Sequence, residues 1–465
     1  MKANRIATLR IALLAIACIF AMIICKRLLA KIKSPSFTPD VIDMSDNYSR
    51  HWPYDMSLRV NEILCIHDGI DPFDVFERKI TTEKYSGFHR PDMPREPHEG
   101  KKYVHAYTTW HTTVFWWFGF VPEHICIIIL TILFFGSLIW SCKWVYQTLS
   151  KHDVQTLKNG MTDNIENILF LLTVTLYPFC GIIISYNYGL LLLCCMLLLF
   201  MAIERNHEFF AGIFLSIVMI KPQIGFMLVI PLLFNKKYKT IAIAATICII
   251  ETLLPAYKLD KSPIELILQI PKIGAPFPKG FFTETTVNVV GPIGQYIIMI
   301  AFMGMATVGC YLVQNVKELW VRFLPALALI PFWTYSQYHD SLVTVPCYIY
   351  LLNSKHKYPR IFNLCICLTT LRLILMLAYS YQCYFIGKQG LITLLHLTTL
   401  LICCSLVILD VNGNTMFLNL VNKFIHRKKA KENFPPSDGS RTALSSRSQR
   451  HNPCGRARPS TFGID

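Results

Sequence analysis

Residues 218–226 read VMIKPQIGF, so a lysine and a proline interrupt an apolar run that extends from Phe209 to Phe234. An ionisable residue inside or at the edge of a membrane segment is a functional candidate by default, because hydrocarbon does not solvate its charge. Proline removes a backbone donor and ends the helix. Irregular backbone at membrane depth is tolerated only when it is buried in protein or lines a cavity. Lys221 therefore has two open readings, a cation facing a polar cavity or a side chain that snorkels to the interface. His339 and Asp340 pose the same question where they close the stretch PFWTYSQYHD at 331–340.

A carboxylate comes earlier, in DMSLRVNEILCIHDGIDPFDVF at 55–76. Met56, Leu58, Ile63, Leu64 and Ile66 follow a helical face, and Gly69 followed by Asp71-Pro72 predicts its stop. Asp55 would then stand at the helix N-terminus, where an acid serves as a cap worth about 1 kcal/mol. By position alone the cap is the simpler reading, and its place beside an aromatic cluster leaves a functional reading open. The cluster is YVHAYTTWHTTVFWWFGFVP at 103–122. Trp116 and Trp117 suit an interfacial belt. Around Tyr107, Trp110 and His111 polar groups alternate with rings, as in a pocket for a sugar or a lipid headgroup.

These residues must be held by a membrane scaffold. The apolar share of 53% and the long apolar runs lie beyond a soluble domain. Each run near or somewhat below the ~20 residues that cross hydrocarbon predicts a span: 6–26, 123–144, 165–185, 187–203, 209–220, 222–234, 239–255, 293–313, 319–336, 341–353, 360–380 and 388–409. The expected fold is all-α and polytopic, with about 10–13 transmembrane helices. Lys and Arg near the span ends place both termini on the cytoplasmic side, with KRLLAKIK at 26–33 the exception. The expected organisation is a first helix with its flank at 1–33, an external loop at 34–122, a bundle at 123–412 with a further external loop at 256–292, and a basic tail at 413–465. The tail's composition predicts disorder and attraction to anionic lipid rather than to nucleic acid, since no stacking aromatics interleave its charges. Most of the 17 cysteines fall within apolar spans, which points to packing. The histidines of the first loop have irregular spacing, with no HExxH and no cysteine pair, so no metal and no cofactor is expected.

An acid, then GIDPFD at 69–74, TTWHTTVF at 108–115, AGIFLSIVMIKPQ at 211–223 and PFWTYSQYHD at 331–340 occur here in one order. That order resembles the C-type (GT-C) integral-membrane glycosyltransferases, and within them the glycosyltransferase family 87 enzymes that use polyprenyl-phosphate mannose. The chain departs from the family at Phe73, where a tyrosine is usual, and at Arg59, where an aromatic is usual. An insert carrying Asp40, Asp43 and Asp46 also separates the first helix from Asp55. The resemblance implies a GT-C fold and an inverting hexosyl transfer from a polyprenyl-phosphate sugar to a glycan or glycolipid acceptor. It implies Asp55 as base, Lys221 and His339 on the donor phosphate, and Gln223 and Trp333 lining the site, with Arg59, Tyr107, Trp110 and His111 toward substrate. The loop charges put this site on the outward face, and a bacterial plasma membrane is the expected location.

Such chemistry needs no nucleotide site, because the lipid phosphate is itself the leaving group. A positioned carboxylate contributes typically ~10²–10⁴-fold as general base, and fixed positive charge shielded from water stabilises the departing anion. The alternative reading is a transporter or lipid flippase, which also lines a cavity with charge. Transporters typically carry internal repeats, and none is legible.

Overall fold

The computed structural model describes residues 2–33, 54–87, 101–104, 109–152, 161–185, 187–273, 280–333, 338–380 and 388–412. They belong to one compact unit spanning Met1–Gly413. The basic tail lies outside the described residues.

The chain is an all-α polytopic membrane protein. In order, its helices are α1 (Lys2–Lys33), α2 (Tyr54–His67), α3 (Pro72–Phe76), α4 (Thr109–Val114), α5 (Glu123–His152), α6 (Met161–Ser185), α7 (Gly189–Glu204), α8 (Glu208–Val218), α9 (Pro222–Phe234), α10 (Tyr238–Leu259), α11 (Pro263–Ile273), α12 (Gly280–Val313), α13 (Leu319–Arg322), α14 (Leu324–Trp333), α15 (Val345–Ser354), α16 (Pro359–Ser380) and α17 (Lys388–Asn412). Six of the described helices are long and apolar enough to span: those holding Thr8–Lys26, His124–Leu149, Tyr238–Leu259, Tyr296–Val313, Pro359–Ala378 and Leu391–Asp410. The remaining spans expected from sequence fall on α6 and on the shorter helices α7 to α9 and α13 to α15.

Helix lengths carry the architecture. At 1.5 Å per residue, the 11 residues of α8 and the 13 of α9 reach only about 17–20 Å, short of the ~30 Å of hydrocarbon. The same holds for the 10 residues each of α14 and α15. Both helix pairs, α8–α9 and α14–α15, are therefore apolar hairpins too short to cross the bilayer fully. Their bases are tied at one end of the bundle: the Lys237 ammonium donates to Asn206 at 3.2 Å, and Arg322 donates to Asn235 at 2.5 Å. Beside them α1 packs on α6 and α16. There the buried Glu166 forms an ion pair with Arg10 at 2.6 Å and accepts from Lys355 at 3.2 Å. Arg10 lies inside α1. That helix continues through KRLLAKIK to Lys33, so its 32 residues cover about 48 Å.

The first loop contains a feature the sequence hid. Tyr85–Gly87 and Lys102–Val104 pair as a two-stranded parallel sheet, and three residues are too few for a period-2 signal. The Gly- and Pro-rich stretch after α10 is also more helical than expected. Pro255 sits inside α10, and Pro263 opens α11, a first-turn position where its missing N–H is no loss.

Candidate functional site

Lys221 stands at the tip of the α8–α9 hairpin. Proline at 222 fixes the first turn of α9 and drives the residue before it into extended backbone; Lys221 has φ −106° and ψ 93°. Close packing of α8 on α10 keeps the tip in place. A Cβ on Gly212 would come within 2.4 Å of Ile243, so only glycine allows that approach. Lys221 is 3% exposed. Its ammonium donates to Asn187 Oδ1 at 2.8 Å and to the buried carboxylate of Asp340. A buried, doubly bonded ammonium is not a snorkelling one.

Asn187 lies just before α7, and Asp340 lies in the 3₁₀ turn Tyr338–Thr344 that joins α14 to α15. Three helix connections thus converge on one ammonium. The two hairpins are also stitched by Trp333, whose indole N–H donates to the backbone oxygen of Gln223 at 2.8 Å. Lys221, Gln223 and Trp333, named from sequence, come together. Asn187 was not named from sequence, and Asp340 was named only as an ionisable candidate without a role. Asp340 was visible only as the polar end of YHD, and nothing in the sequence linked it to a lysine 119 positions away.

The described end of the first loop packs beside Asn187 and on α10. Phe115, directly after α4, stacks on Tyr188 with centroids 5.1 Å apart and planes 9° apart, which brings α4 beside Asn187. The hydroxyl of Thr113 donates to the backbone oxygen of Glu251 on α10. Trp116 and Phe120 hold the His67 ring at 4.0 and 4.8 Å. Arg59 is buried and paired with Glu62 one turn on, at 2.8 Å. Asp55 falls in the first turn of α2, one residue inside the helix rather than at its cap. The side chains of Asp55, Trp110, His111 and His339 lie outside the described ones, and Tyr107 lies outside the described residues altogether.

GIDPFD folds as a stop and a restart. Gly69 takes φ +75°, and Ile70 N donates to Cys65 O at 3.0 Å while Gly69 N donates to Ile66 O at 2.9 Å. That six-to-one bond with a shorter one nested inside it is a Schellman end, which needs a left-handed residue. Asp71 then caps α3, accepting from Phe73 N at 2.8 Å. Its other oxygen accepts Lys261 at 2.6 Å and Gln269 at 3.1 Å, and Asp74 accepts Lys261 at 2.5 Å. The motif therefore clamps the first loop to the segment after α10.

The clamp has a pH signature. Burial pulls the Asp74 carboxyl up, but its bonds to Lys261 and Lys79 outweigh this and hold it below the usual range. Burial likewise pulls Lys261 down, and its two carboxylates more than compensate, leaving it raised. A lowered carboxyl stabilises the fold above its ordinary pKa of about 3.9 and loses that contribution as pH falls further; a raised lysine stabilises below about 10.4 and loses it as pH rises. Lys261→Met should therefore lower the melting temperature in detergent most between those limits, with the gap to wild type closing at both extremes. A gap independent of pH would contradict the clamp.

A profile described as Glycosyltransferase family 87 matches residues 105–354, more than half of the chain. The chain belongs to glycosyltransferase family 87. The match takes in both hairpins, Lys221, Gln223, Trp333, His339 and Asp340, as well as the aromatic segment with Tyr107, Trp110 and His111. Asp55, Arg59 and GIDPFD precede the family 87 match, and α16 and α17 follow it. No curated protein and no solved structure matches the chain.

Proposed function

We propose that this glycosyltransferase moves a hexose, mannose by the family resemblance, from a polyprenyl-phosphate sugar to a glycan or glycolipid acceptor on the non-cytoplasmic face, with inversion. The observation that carries the reading is the buried Lys221 at the meeting of two short hairpins, in a family 87 chain. A sugar donor whose leaving group is a lipid phosphate needs a cation at membrane depth, and this lysine is held there by Asp340 and Asn187. In this reading Asp340 positions the ammonium in the free enzyme and yields part of it to the phosphate. His339, its neighbour in the chain, supplies a second contact, Trp333 walls the site, and Asp55 takes the acceptor proton. Paired hairpins alone would also suit a transporter; family membership favours the transferase. The charge pattern of the loops, with its one exception at 26–33, supports a site on the non-cytoplasmic side; a bacterial plasma membrane is part of the proposal and draws nothing from that pattern.

The donor assignment is tested by binding. His339→Ala should weaken the affinity for a polyprenyl-phosphate sugar about tenfold or more, the scale of one charge-assisted hydrogen bond, while the melting temperature stays near wild type. Unchanged donor affinity would remove His339 from the site.

A further inference from the structure

Arg372 on α16 and His396 on α17 form a second polar cluster within the membrane. Arg372 is the fourteenth residue of α16, about 20 Å from the start of that helix, so it lies within the hydrocarbon layer. Its Nη1 donates to His396 Nδ1 at 2.9 Å, and the Tyr348 hydroxyl reaches the same nitrogen at 3.0 Å. A guanidinium is always a donor, so Nδ1 accepts, the imidazole is neutral and its one proton is on Nε2. The charge of the cluster is therefore the arginine's alone, and among the described residues no carboxylate pairs with it.

Three polar atoms of this cluster are buried without a hydrogen-bond partner: Arg372 Nε, His396 Nε2 and the hydroxyl of Thr393. His396 is 6% and Thr393 5% exposed. Thr393 precedes His396 by three residues, so both lie on one face of α17. Buried donors are nearly always satisfied, and an exception calls for a reason. Arg372 itself is partly exposed, and its neighbours Leu371 and Ile374 on α16, like Leu391 and Leu394 on α17, are exposed apolar residues of the two candidate spans. The Nε–H of the arginine, the Nε2–H of the neutral histidine and the threonine hydroxyl are three unused buried donors on two neighbouring helices, a set that matches an anionic group carrying several acceptor oxygens.

We propose that Arg372, His396 and Thr393 form a binding site for the phosphate of a membrane amphiphile that arrives laterally, separate from Lys221. Phe332, whose ring lies 5.5 Å from His396, stands between this cluster and Trp333 of the candidate transfer site. The inference rests on the membrane fold and not on the sugar-transfer reading, so either can fail alone.

Native mass spectrometry of the full chain in detergent tests it, with farnesyl phosphate, dioctanoyl phosphatidylglycerol and inorganic phosphate as separate probes. Wild type should retain one more copy of a phosphate amphiphile than Arg372→Gln, with Arg372→Lys intermediate. Thr393→Val, which leaves the arginine–histidine contact in place, should weaken that copy several-fold at unchanged melting temperature. Retention of farnesyl phosphate identifies a prenyl-phosphate site, and retention of the glycerolipid identifies a phospholipid site. Equal occupancy in wild type and both the Gln and Val variants would overturn the proposal. Inorganic phosphate binding as tightly as either lipid would overturn its amphiphile part.

Discussion

Lys221→Met and Asp340→Leu should each abolish transfer and sharply destabilise the protein, whereas the double variant should recover stability and remain inactive. The two side chains are 3% and 1% exposed and bonded to each other. Removing either one leaves a charge buried without its counter-ion, which costs about 3–5 kcal/mol; replacing both by apolar residues of similar size is often neutral. In detergent the readout is a large drop in melting temperature for each single variant and a return toward wild type for the double. Transfer should fall by about 10²–10³-fold in all three, the usual loss when a fixed donor to a developing anion is removed. Additive destabilisation in the double variant would mean the pair is not coupled. Activity in the double variant would mean that Lys221 holds no phosphate and the hairpin tips only scaffold the bundle.

Asp55→Asn should lower turnover by about 10²-fold or more, the contribution of a positioned base, with the fold retained. Its place in the first turn of α2 sets what else the substitution costs. A carboxylate there interacts with the helix dipole, worth about 0.3–1 kcal/mol, and asparagine gives that up. A small loss of stability with a large loss of turnover is thus the expected pair of results. Asp40→Asn, Asp43→Asn and Asp46→Asn should stay near wild type. Full activity in Asp55→Asn, or intolerance at one of the three upstream acids, would move the base into the insert before α2.

The helices were legible because hydrophobic runs in a membrane protein are long and unambiguous, and the twelve apolar stretches coincide with helices in the structure. VMIKPQIGF was legible for a different reason, since the cost of a charge and a proline at membrane depth marks them out locally. What sequence could not supply was the partner. Asp340 closes its own span as an ordinary polar end would, and only the shortness of α14 and α15 brings it down to the tip of α8–α9. The role of GIDPFD was half legible: the Gly69 stop and the Asp71-Pro72 restart are local chemistry. The second oxygen of Asp71, reaching Lys261 and Gln269 nearly two hundred residues on, is tertiary. Arg372 and His396 lay inside apolar runs and drew no attention, because one polar residue per helix is ordinary until two meet and leave buried donors unpaired.

The most direct test reconstitutes the purified protein in lipid vesicles with radiolabelled polyprenyl-phosphate hexoses and an acceptor fraction extracted from membranes. The account predicts transfer of label from polyprenyl-phosphate mannose to a lipid- or glycan-linked product, absent in Lys221→Met. Movement of the intact labelled donor across the bilayer without any new glycosidic product would contradict it and return the protein to the transporter class.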